Sequence, residues 1–301
     1  MRIVMAGASG FLGTHLGEAL RADGHEVIRL VRRPAEGPDQ LSWRPSAGQL
    51  DPAALAGADA VINLAGATIG RPWTPRYRRV LRSSRIDTTG TIARTLAELP
   101  SAGRPGVLLN ASAVGWYGDT GDDPRTEEAP AGEGFMATLC RGWEAAAGPA
   151  EEVGVRVVRL RTAPVLHPGA LLKPQIPLYR LGLGARFGSG RQWLAWISLA
   201  DWLAAARLLL DRDDLSGSVN LVSPGIVTNA EFTKALGRAV HRPAVLWVPG
   251  PALRLALGGL ANEVLFSHRV LPGVLDRDGF RFQHPDVDGA LHAALADRPT
   301  V

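Results

Sequence analysis

The feature that most constrains this chain is a glycine-spaced turn at its amino terminus, MRIVMAGASGFLG over residues 1–13. Residues 2–6 are short, apolar and β-branched, which predicts a buried strand. Gly7, Gly10 and Gly13 follow, and an apolar helical pattern begins directly after them. A strand that enters such a turn and then a helix can receive a pyrophosphate, because bare backbone and free N–H groups meet the negative charge. The order GxxGxxG differs from the general dinucleotide fingerprint GxGxxG, and the alternative is a tight turn that binds nothing.

The chain beyond this turn alternates strand and helix patterns. Further strands are predicted at residues 26–31, 60–66, 107–112, 155–161 and 218–222. Further helices are predicted at residues 53–58, 86–99, 135–147, 201–210, 251–260 and 287–296, and another starts at 228–231. The alternation is typical of an α/β fold of the Rossmann type, with a doubly wound parallel sheet.

Prolines and glycines interrupt this alternation after residue 162. We therefore predict a Rossmann domain over residues 1–165, with a return segment at 196–224. Residues 166–195 and 225–301 are predicted to form a second, smaller lobe.

Composition argues against several classes of function. The formal net charge is +4 and no basic run is interleaved with aromatic residues, so no nucleic-acid partner is predicted. Cys140 is the only cysteine, which excludes an internal disulfide and a cysteine-based zinc site, and the scattered histidines predict no metal site. No apolar run of about 20 residues predicts a membrane span, and no charged leader precedes an apolar segment. We expect a cytoplasmic protein that acts on a small molecule.

The end of the second predicted strand bears on the choice between NAD and NADP. In doubly wound folds an acidic residue near this position binds the ribose 2′-hydroxyl of NAD, whereas arginine accommodates the 2′-phosphate of NADP. Val31 stands where the acid is expected, and Arg32 and Arg33 follow. The pattern favours NADP, with Arg32 as a ligand, and NAD stays an alternative. Both arginines could instead form a solvated strand end.

Four motifs together resemble an extended short-chain dehydrogenase/reductase: GASGFLG at 7–13, DAVINLAG at 59–66, ASAVGWYG at 111–118 and WISLADWL at 196–203. Four more are similar to the atypical, sugar-nucleotide epimerase-like branch of that family: SSRIDTT at 83–89, CRGWE at 140–144, RFGSGRQW at 186–193 and TNAEFTKALGRAV at 228–240. The tail over residues 238–301 resembles the small C-terminal domain of unknown function in this branch.

The resemblance implies an NAD(P)-binding Rossmann domain, a smaller C-terminal substrate lobe and a site between them. The pyrophosphate would lie against the turn, with Gly7, Gly10 and Gly13 lining it and with backbone supplied by Ser9, Phe11 and Leu12. The nicotinamide-side ribose would lie along Leu64, Ala65 and Gly66. Many relatives of this fold are dimers, so a homodimer is left open.

The catalytic positions depart from the resembled family. Its chemistry uses a Tyr-xxx-Lys pair on the helix after the acidic loop, where lysine lowers the pKa of the tyrosine for proton exchange with a substrate oxygen. Alignment on Glu144 puts Met136 and Cys140 at these two positions, and no YxxxK occurs in the chain. Ser112 matches the family's substrate-polarising serine, although Tyr117 stands one residue farther from it than the family pattern requires.

Two functions therefore remain open. In the first, the chain is an oxidoreductase or epimerase in which Ser112 holds the substrate oxygen and Tyr117 or water moves the proton. Arg141 or Arg191 could then lower the pKa of the phenol. In the second, the chain binds nucleotide without turnover, as a sensor or scaffold, and Tyr117 packs on Trp116.

The segment RFGSGRQW at 186–193 is expected to face the substrate. Arg191 and Gln192 offer donors that suit a phosphate or carboxylate, as in a nucleotide-sugar or another anionic substrate. Asp201 is expected either to cap a helix or to serve as a functional acid.

Overall fold

The computed structural model of the chain describes residues 1–296. Its strands are β1 (Arg2–Ala6), β2 (Glu26–Val31), β3 (Gln40–Ser42), β4 (Ala60–Asn63), β5 (Val107–Ala113), β6 (Arg156–Thr162), β7 (Val165–Leu166), β8 (Ala185–Phe187), β9 (Trp193–Leu194), β10 (Ile197–Ser198), β11 (Gly217–Leu221), β12 (Val227–Thr228) and β13 (Leu246–Val248). Its helices are α1 (Phe11–Ala22), α2 (Pro75–Glu98), α3 (Phe135–Ala145), α4 (Gly148–Glu152), α5 (Gln175–Arg180), α6 (Leu199–Asp211), α7 (Asn229–Ala239), α8 (Gly250–Leu257), α9 (Leu260–Leu265), α10 (Gly273–Arg277) and α11 (Val287–Ala296).

Seven strands form one parallel sheet in the order β11-β6-β5-β4-β1-β2-β3. The strand order reverses direction between β1 and β4, which places the crevice of a doubly wound sheet at the carboxyl ends of these two strands. The predicted Rossmann-type architecture is confirmed.

The sheet is covered by a hydrophobic core on each face. Along β1, Ile3 and Met5 pack in one core with Trp202 of α6, whereas Val4 packs in the other core with Ile92 of α2. Successive side chains of a strand point to opposite faces, so a run of apolar residues is required wherever helices cover both sides. This is why β1, β4 and β5 read as continuous apolar segments.

Three predicted helices differ from those observed. The predicted helix at 86–99 begins eleven residues earlier, at Pro75, where the Thr74 side chain accepts a hydrogen bond from the Tyr77 amide as the cap. The predicted helix at 251–260 is two helices, α8 and α9, because Gly258 has a φ of 56° that ends the first one. The short segment at 53–58 forms only a single 3₁₀ turn over Pro52–Ala54.

The C-terminal part of the chain packs over loops at the carboxyl edge of the sheet. Gly258 forms a β-bridge with Trp73, and Val270 forms one with Arg125. The Thr120 amide donates to the Ser267 carbonyl oxygen at 2.8 Å. Residues 258–270 therefore contact both the segment after β4 and the acidic loop after β5. The division into domains at 165 and 225 stays a prediction.

Within residues 1–296, the longest helices are too short or too polar to cross a lipid bilayer.

Candidate functional site

The glycine turn between β1 and α1 has the shape that a diphosphate needs. Gly7 has a φ of 79°, and a Cβ there would lie 2.6 Å from the Ala65 backbone nitrogen. A Cβ on Gly13 would overlap the Gly7 carbonyl oxygen. Gly10 is the N-cap of α1 and provides no side-chain cap, so the first N–H groups of the helix, at Phe11 and Leu12, are left without intrahelical acceptors. The turn thus presents bare backbone and unpaired donors where a dinucleotide's phosphates would lie.

The remaining residues predicted for the cofactor lie around this turn. Ser9 is exposed on its outer side, and Leu64, Ala65 and Gly66 follow directly from β4 at the switch point of the sheet. β1 pairs with β4 in parallel, with Ala6 opposite Asn63, which brings the turn and residues 64–66 side by side.

Arginines line a cleft of about 670 Å³ at the carboxyl end of β2. Arg32 and Arg33 are joined there by Arg44, which lies in the loop after β3 and was not singled out from the sequence. The Arg33 guanidinium pairs with Glu36 at 2.7 Å. Within the described residues, the guanidinium of Arg32 makes no hydrogen bond or ion pair, so it is available to an anion at this edge.

Arg85 places a second positive charge close to residues 64–66. It lies on α2, is 7 % exposed, and has no carboxylate within ion-pair distance in the described part of the chain. Its guanidinium donates to the Ala67 carbonyl oxygen at 3.0 Å and lies 5.1 Å from the Trp143 ring centre, and its Nε has no hydrogen-bond partner there. Burial lowers the pKa of Arg85. A buried cation with an unpaired donor is unusual, because its desolvation is uncompensated.

Ser112 and Tyr117 belong to one buried network. In the register of the sheet, Ser112 of β5 lies opposite Arg161 of β6, and Arg161 lies opposite Asn220 of β11. The three side chains therefore project from one face of the sheet. The Ser112 hydroxyl donates to Glu144 at 2.6 Å, and Arg161 binds both oxygens of Glu144 at 2.9 Å. Arg161 also donates to the Tyr117 hydroxyl at 2.9 Å, and that hydroxyl donates to Asn220 at 2.8 Å.

This network occupies the polar atoms of both predicted catalytic residues. Ser112 and Tyr117 are each 3 % exposed. Burial raises the pKa of Tyr117, and the nearby Arg161 offsets only part of that rise. The cation beside the phenol is therefore Arg161, whereas Arg141 is exposed on α3 and donates to Thr138. The roles of Ser112 and Tyr117 in catalysis remain a prediction.

The two predicted substrate residues have different surroundings. Arg191 is exposed, and its guanidinium makes no hydrogen bond within residues 1–296. Gln192 is 9 % exposed, and its amide donates to the Phe187 carbonyl oxygen at 3.0 Å and to that of Val264 at 3.4 Å. Gln192 thus joins the loop at 186–193 to α9, while contact between Arg191 and an anionic substrate stays a prediction.

Asp201 is an internal anchor. It is fully buried, accepts from the Ser198 hydroxyl at 2.7 Å and binds the amides of Gln283 and His284. The helix cap is Ser198, which accepts from the Asp201 amide. Among the described residues, no group of three His, Cys, Asp or Glu side chains could hold a metal ion.

Comparison with known proteins decides the family. The model of the NAD dependent epimerase/dehydratase family matches residues 3–221, and that of a domain of unknown function, DUF1731, matches residues 248–294. The chain belongs to the NAD dependent epimerase/dehydratase family. An epimerase family protein of Mycobacterium bovis is 46% identical over 292 residues, which are 96% of each chain.

Two solved structures share the fold. The crystal structure of the human epimerase family protein SDR39U1 with NADPH has a TM-score of 0.88 and 30% identity, and covers 99% of this chain and 100% of that one. A dTDP-glucose 4,6-dehydratase of Streptomyces venezuelae, with NAD and TYD bound, has a TM-score of 0.75 at 19% identity, covering 98% and 96%, which shows the likeness of fold alone. The resemblance to an atypical short-chain dehydrogenase/reductase is confirmed.

The positions of the family's Tyr-xxx-Lys pair are apolar in this member. Met136 and Cys140 of α3 lie in one hydrophobic cluster. Ala113 of β5 and Leu260 of α9 pack against this cluster. Ala113 packs against this cluster, whereas the Ser112 hydroxyl donates to Glu144, one turn farther along α3. Cys140 is fully buried, and burial raises the pKa of its thiol to about 12, so it is a core residue.

Sequence reasoning assigned no role to Glu144, Arg161 or Arg85. One signal was available: the strand VRVVRLR at 155–161 carries arginines, although strands of a doubly wound parallel sheet are covered by helices on both faces. A buried arginine requires a partner, and a search for that partner would have led to Glu144.

Proposed function

We propose that this chain is an NADP-linked oxidoreductase or epimerase that acts on a small anionic molecule. The proposal rests on two features that lie side by side. One is the open glycine turn at the switch point of the sheet. The other is Arg32 at the end of the neighbouring strand β2, whose guanidinium has no partner among the described residues. A nicotinamide cofactor bound there would supply or accept a hydride at the carboxyl edge of the sheet.

Each part of the cofactor has residues that fit it. The N–H groups of Phe11 and Leu12 suit the diphosphate, which the positive end of the α1 dipole also attracts. Arg32, with Arg33 and Arg44 beside it, suits a 2′-phosphate through charge-assisted hydrogen bonds. The human relative's structure with NADPH supports the same choice.

The substrate is proposed to carry a negative charge. Arg191 is exposed on the loop that contacts α9, and its guanidinium suits a carboxylate or phosphate bidentately. This class includes nucleotide-sugars. We also propose that the protein is cytoplasmic. We further propose that it forms a homodimer, which light scattering after size-exclusion chromatography would test.

A second candidate function is nucleotide binding without turnover. It is favoured by one observation: Ala113, Met136 and Cys140 form an apolar cluster where the family places its proton-transfer groups. A sensor or scaffold would keep the cofactor cradle and need no acid or base.

Cofactor preference is tested by titration of the purified protein with NADPH and NADH. We expect tighter binding of NADPH, and Arg32→Glu should weaken it about tenfold or more, because a hydrogen bond to a charged group contributes about 1.5–3 kcal/mol. Arg79→Glu, on the exposed face of α2, makes the same charge change away from β2 and should bind as the wild type does. Equal affinity for the two nucleotides would contradict the assignment of Arg32.

Turnover is tested with NADPH and a panel of nucleotide-sugars, ketones and enones. Oxidation of NADPH by any of these compounds would exclude the second candidate function, nucleotide binding without turnover. Ser112→Ala and Tyr117→Phe then test the catalytic prediction, since activity that both variants retain would remove Ser112 and Tyr117 from the chemistry.

A further inference from the structure

We propose that Glu263, on helix α9 of the C-terminal part of the chain, is the group that exchanges a proton with the substrate. The inference rests on the proposed function. It assigns a catalytic residue to a region that matches a domain of unknown function, and it replaces the tyrosine and lysine that α3 lacks.

The packing of α9 brings Glu263 toward the hydrophobic cluster that contains Met136 and Cys140. Leu260, in the first turn of α9, packs in the cluster that contains Met136 and Cys140. Glu263 is three residues farther along and shares that helix face. Burial is the main cause that raises the pKa of the Cys140 thiol; the charge of Glu144 and, to a smaller extent, that of Glu263 raise it further, and the charge of Arg85 opposes them. Cys140 stands at the family's lysine position, so Glu263 and Arg85 both lie within electrostatic range of that position.

The bonding of Glu263 distinguishes it from a structural carboxylate. Its side chain is only 18% exposed, yet it accepts no hydrogen bond from any residue in 1–296. The nearest basic group is the His268 ring, with Nε2 at 3.8 Å from Oε2. Glu144, by contrast, is 6% exposed and is held by both Arg161 and Ser112. A mostly buried carboxylate without donors destabilises the fold, and such groups cluster at functional sites.

The surroundings of Glu263 bring the pKa of its carboxyl group close to neutral pH. Burial raises its pKa to about 7, and burial lowers the pKa of His268 to about 4, so the histidine is uncharged near pH 7. The other ionisable groups around this region are Cys140 and Glu144 of α3, Arg85 of α2, Arg78 of α2, which lies against Gly259, and Asp119, which acts on His268. A carboxyl group that titrates near the working pH is suited to give and take protons.

Glu263 would give up a proton when the substrate is reduced and accept one when the substrate is oxidised. In the reducing direction, a carbonyl carbon of the substrate gains a hydride from the bound nicotinamide, and the π pair of the C=O bond moves to the oxygen. Glu263 then transfers its carboxyl proton to that oxygen and is left as a carboxylate, which takes a proton from water. In the oxidising direction the carboxylate accepts the hydroxyl proton while the carbon gives up the hydride.

The test is a titration of ¹³C-labelled glutamate side chains by NMR, on the full-length protein alone, with NADPH and with NADP⁺. Glu263→Gln identifies the resonance, and Glu263→Leu provides a second identification if the first variant does not fold. We expect a Glu263 midpoint near neutrality that is lower with NADP⁺ than with NADPH bound, because the oxidised nicotinamide ring is cationic and favours a nearby carboxylate.

The outcomes separate this inference from the proposed function. If both nucleotides bind and the Glu263 midpoint is the same with each, or if the midpoint lies in the range of an exposed glutamate, Glu263 is not the proton-transfer group although the cofactor site stands. If neither nucleotide binds the wild type, the proposed function fails and this inference fails with it. Where a substrate of the panel is turned over, Glu263→Gln should also remove the limb of the rate profile that titrates near pH 7.

Discussion

The replacement of Glu263 by glutamine should make the protein more stable at neutral pH and change how its stability depends on pH. The carboxyl group is mostly buried, has no hydrogen-bond donor among the described residues, and has a pKa raised by burial from 4.5 to about 7. The folded state therefore holds a proton that the unfolded state releases as the pH rises through this interval. Stability must fall over the same interval, because the unfolded state binds fewer protons there.

The magnitude follows from the size of this shift. One pKa unit corresponds to about 1.4 kcal/mol, so a rise from 4.5 to about 7 corresponds to a loss of about 3 kcal/mol in the free energy of unfolding. The loss begins near the pKa of the unfolded state and is complete above the folded pKa. Glutamine has nearly the same shape and does not titrate, so the variant should lack this loss.

Urea unfolding followed by tryptophan fluorescence measures the effect, at pH values between about 5 and about 8. The informative quantity is the difference in unfolding free energy between variant and wild type at each pH. This difference removes the contribution of His268, whose lowered pKa gives an opposite pH dependence below about pH 6.5. Glu98→Gln, an exposed position at the end of α2, is the control. Parallel curves for Glu263→Gln and wild type would refute the reasoning.

Three further predictions concern the rest of the site. Arg161→Met should lower the free energy of unfolding by about 3–5 kcal/mol, because Glu144 would be left buried and unpaired; a urea midpoint close to that of the wild type would contradict this. Gly13→Ala should cost about 3 kcal/mol or more, since the new methyl group overlaps the Gly7 carbonyl oxygen, and a thermal melt that matches the wild type would show that the turn is looser than described. Cys140, buried and with a thiol pKa of about 12, should resist iodoacetamide at pH 8 until the protein is unfolded in urea; rapid labelling of the native protein would show that the thiol is accessible.

The sequence predicted those parts of the fold that local patterns determine. Residues 2–6 and 26–31 were placed within the observed strand bounds, because buried parallel strands leave short apolar runs. Thr228 was predicted to start a helix, and it forms a capping box with Glu231. The signal in each case lies within a few residues of the element it predicts.

The arginine-rich start of α2 was missed for a physical reason. Exposed arginines at Arg76, Arg79 and Arg82 hide the apolar spacing from which a helix is recognised, although Leu81 is fully buried. The split between α8 and α9 depends on the positive φ of Gly258, which composition alone does not reveal.

The sequence indicates the candidate cofactor site most directly at the glycine turn, and the roles of all the predicted site residues stay predictions. Gly7 and Gly13 are required by contacts of the turn itself, so their spacing carries the signal. Glu144 and Arg161 meet across a helix and a strand, 17 residues apart in the chain. Glu263 lies on α9, whose Leu260 packs against a cluster that contains Met136 and Cys140, more than 100 residues earlier in the chain. Such pairings depend on the tertiary structure, and a single sequence does not display them.

The most direct measurement of the central claim is calorimetric titration of the wild-type protein with NADPH. The open turn between β1 and α1 predicts saturable binding of a single nucleotide per chain, with a weaker response to NADH because the latter lacks the phosphate that Arg32 would meet. A folded protein that took up neither nucleotide at millimolar concentration would contradict the claim that this turn holds a diphosphate.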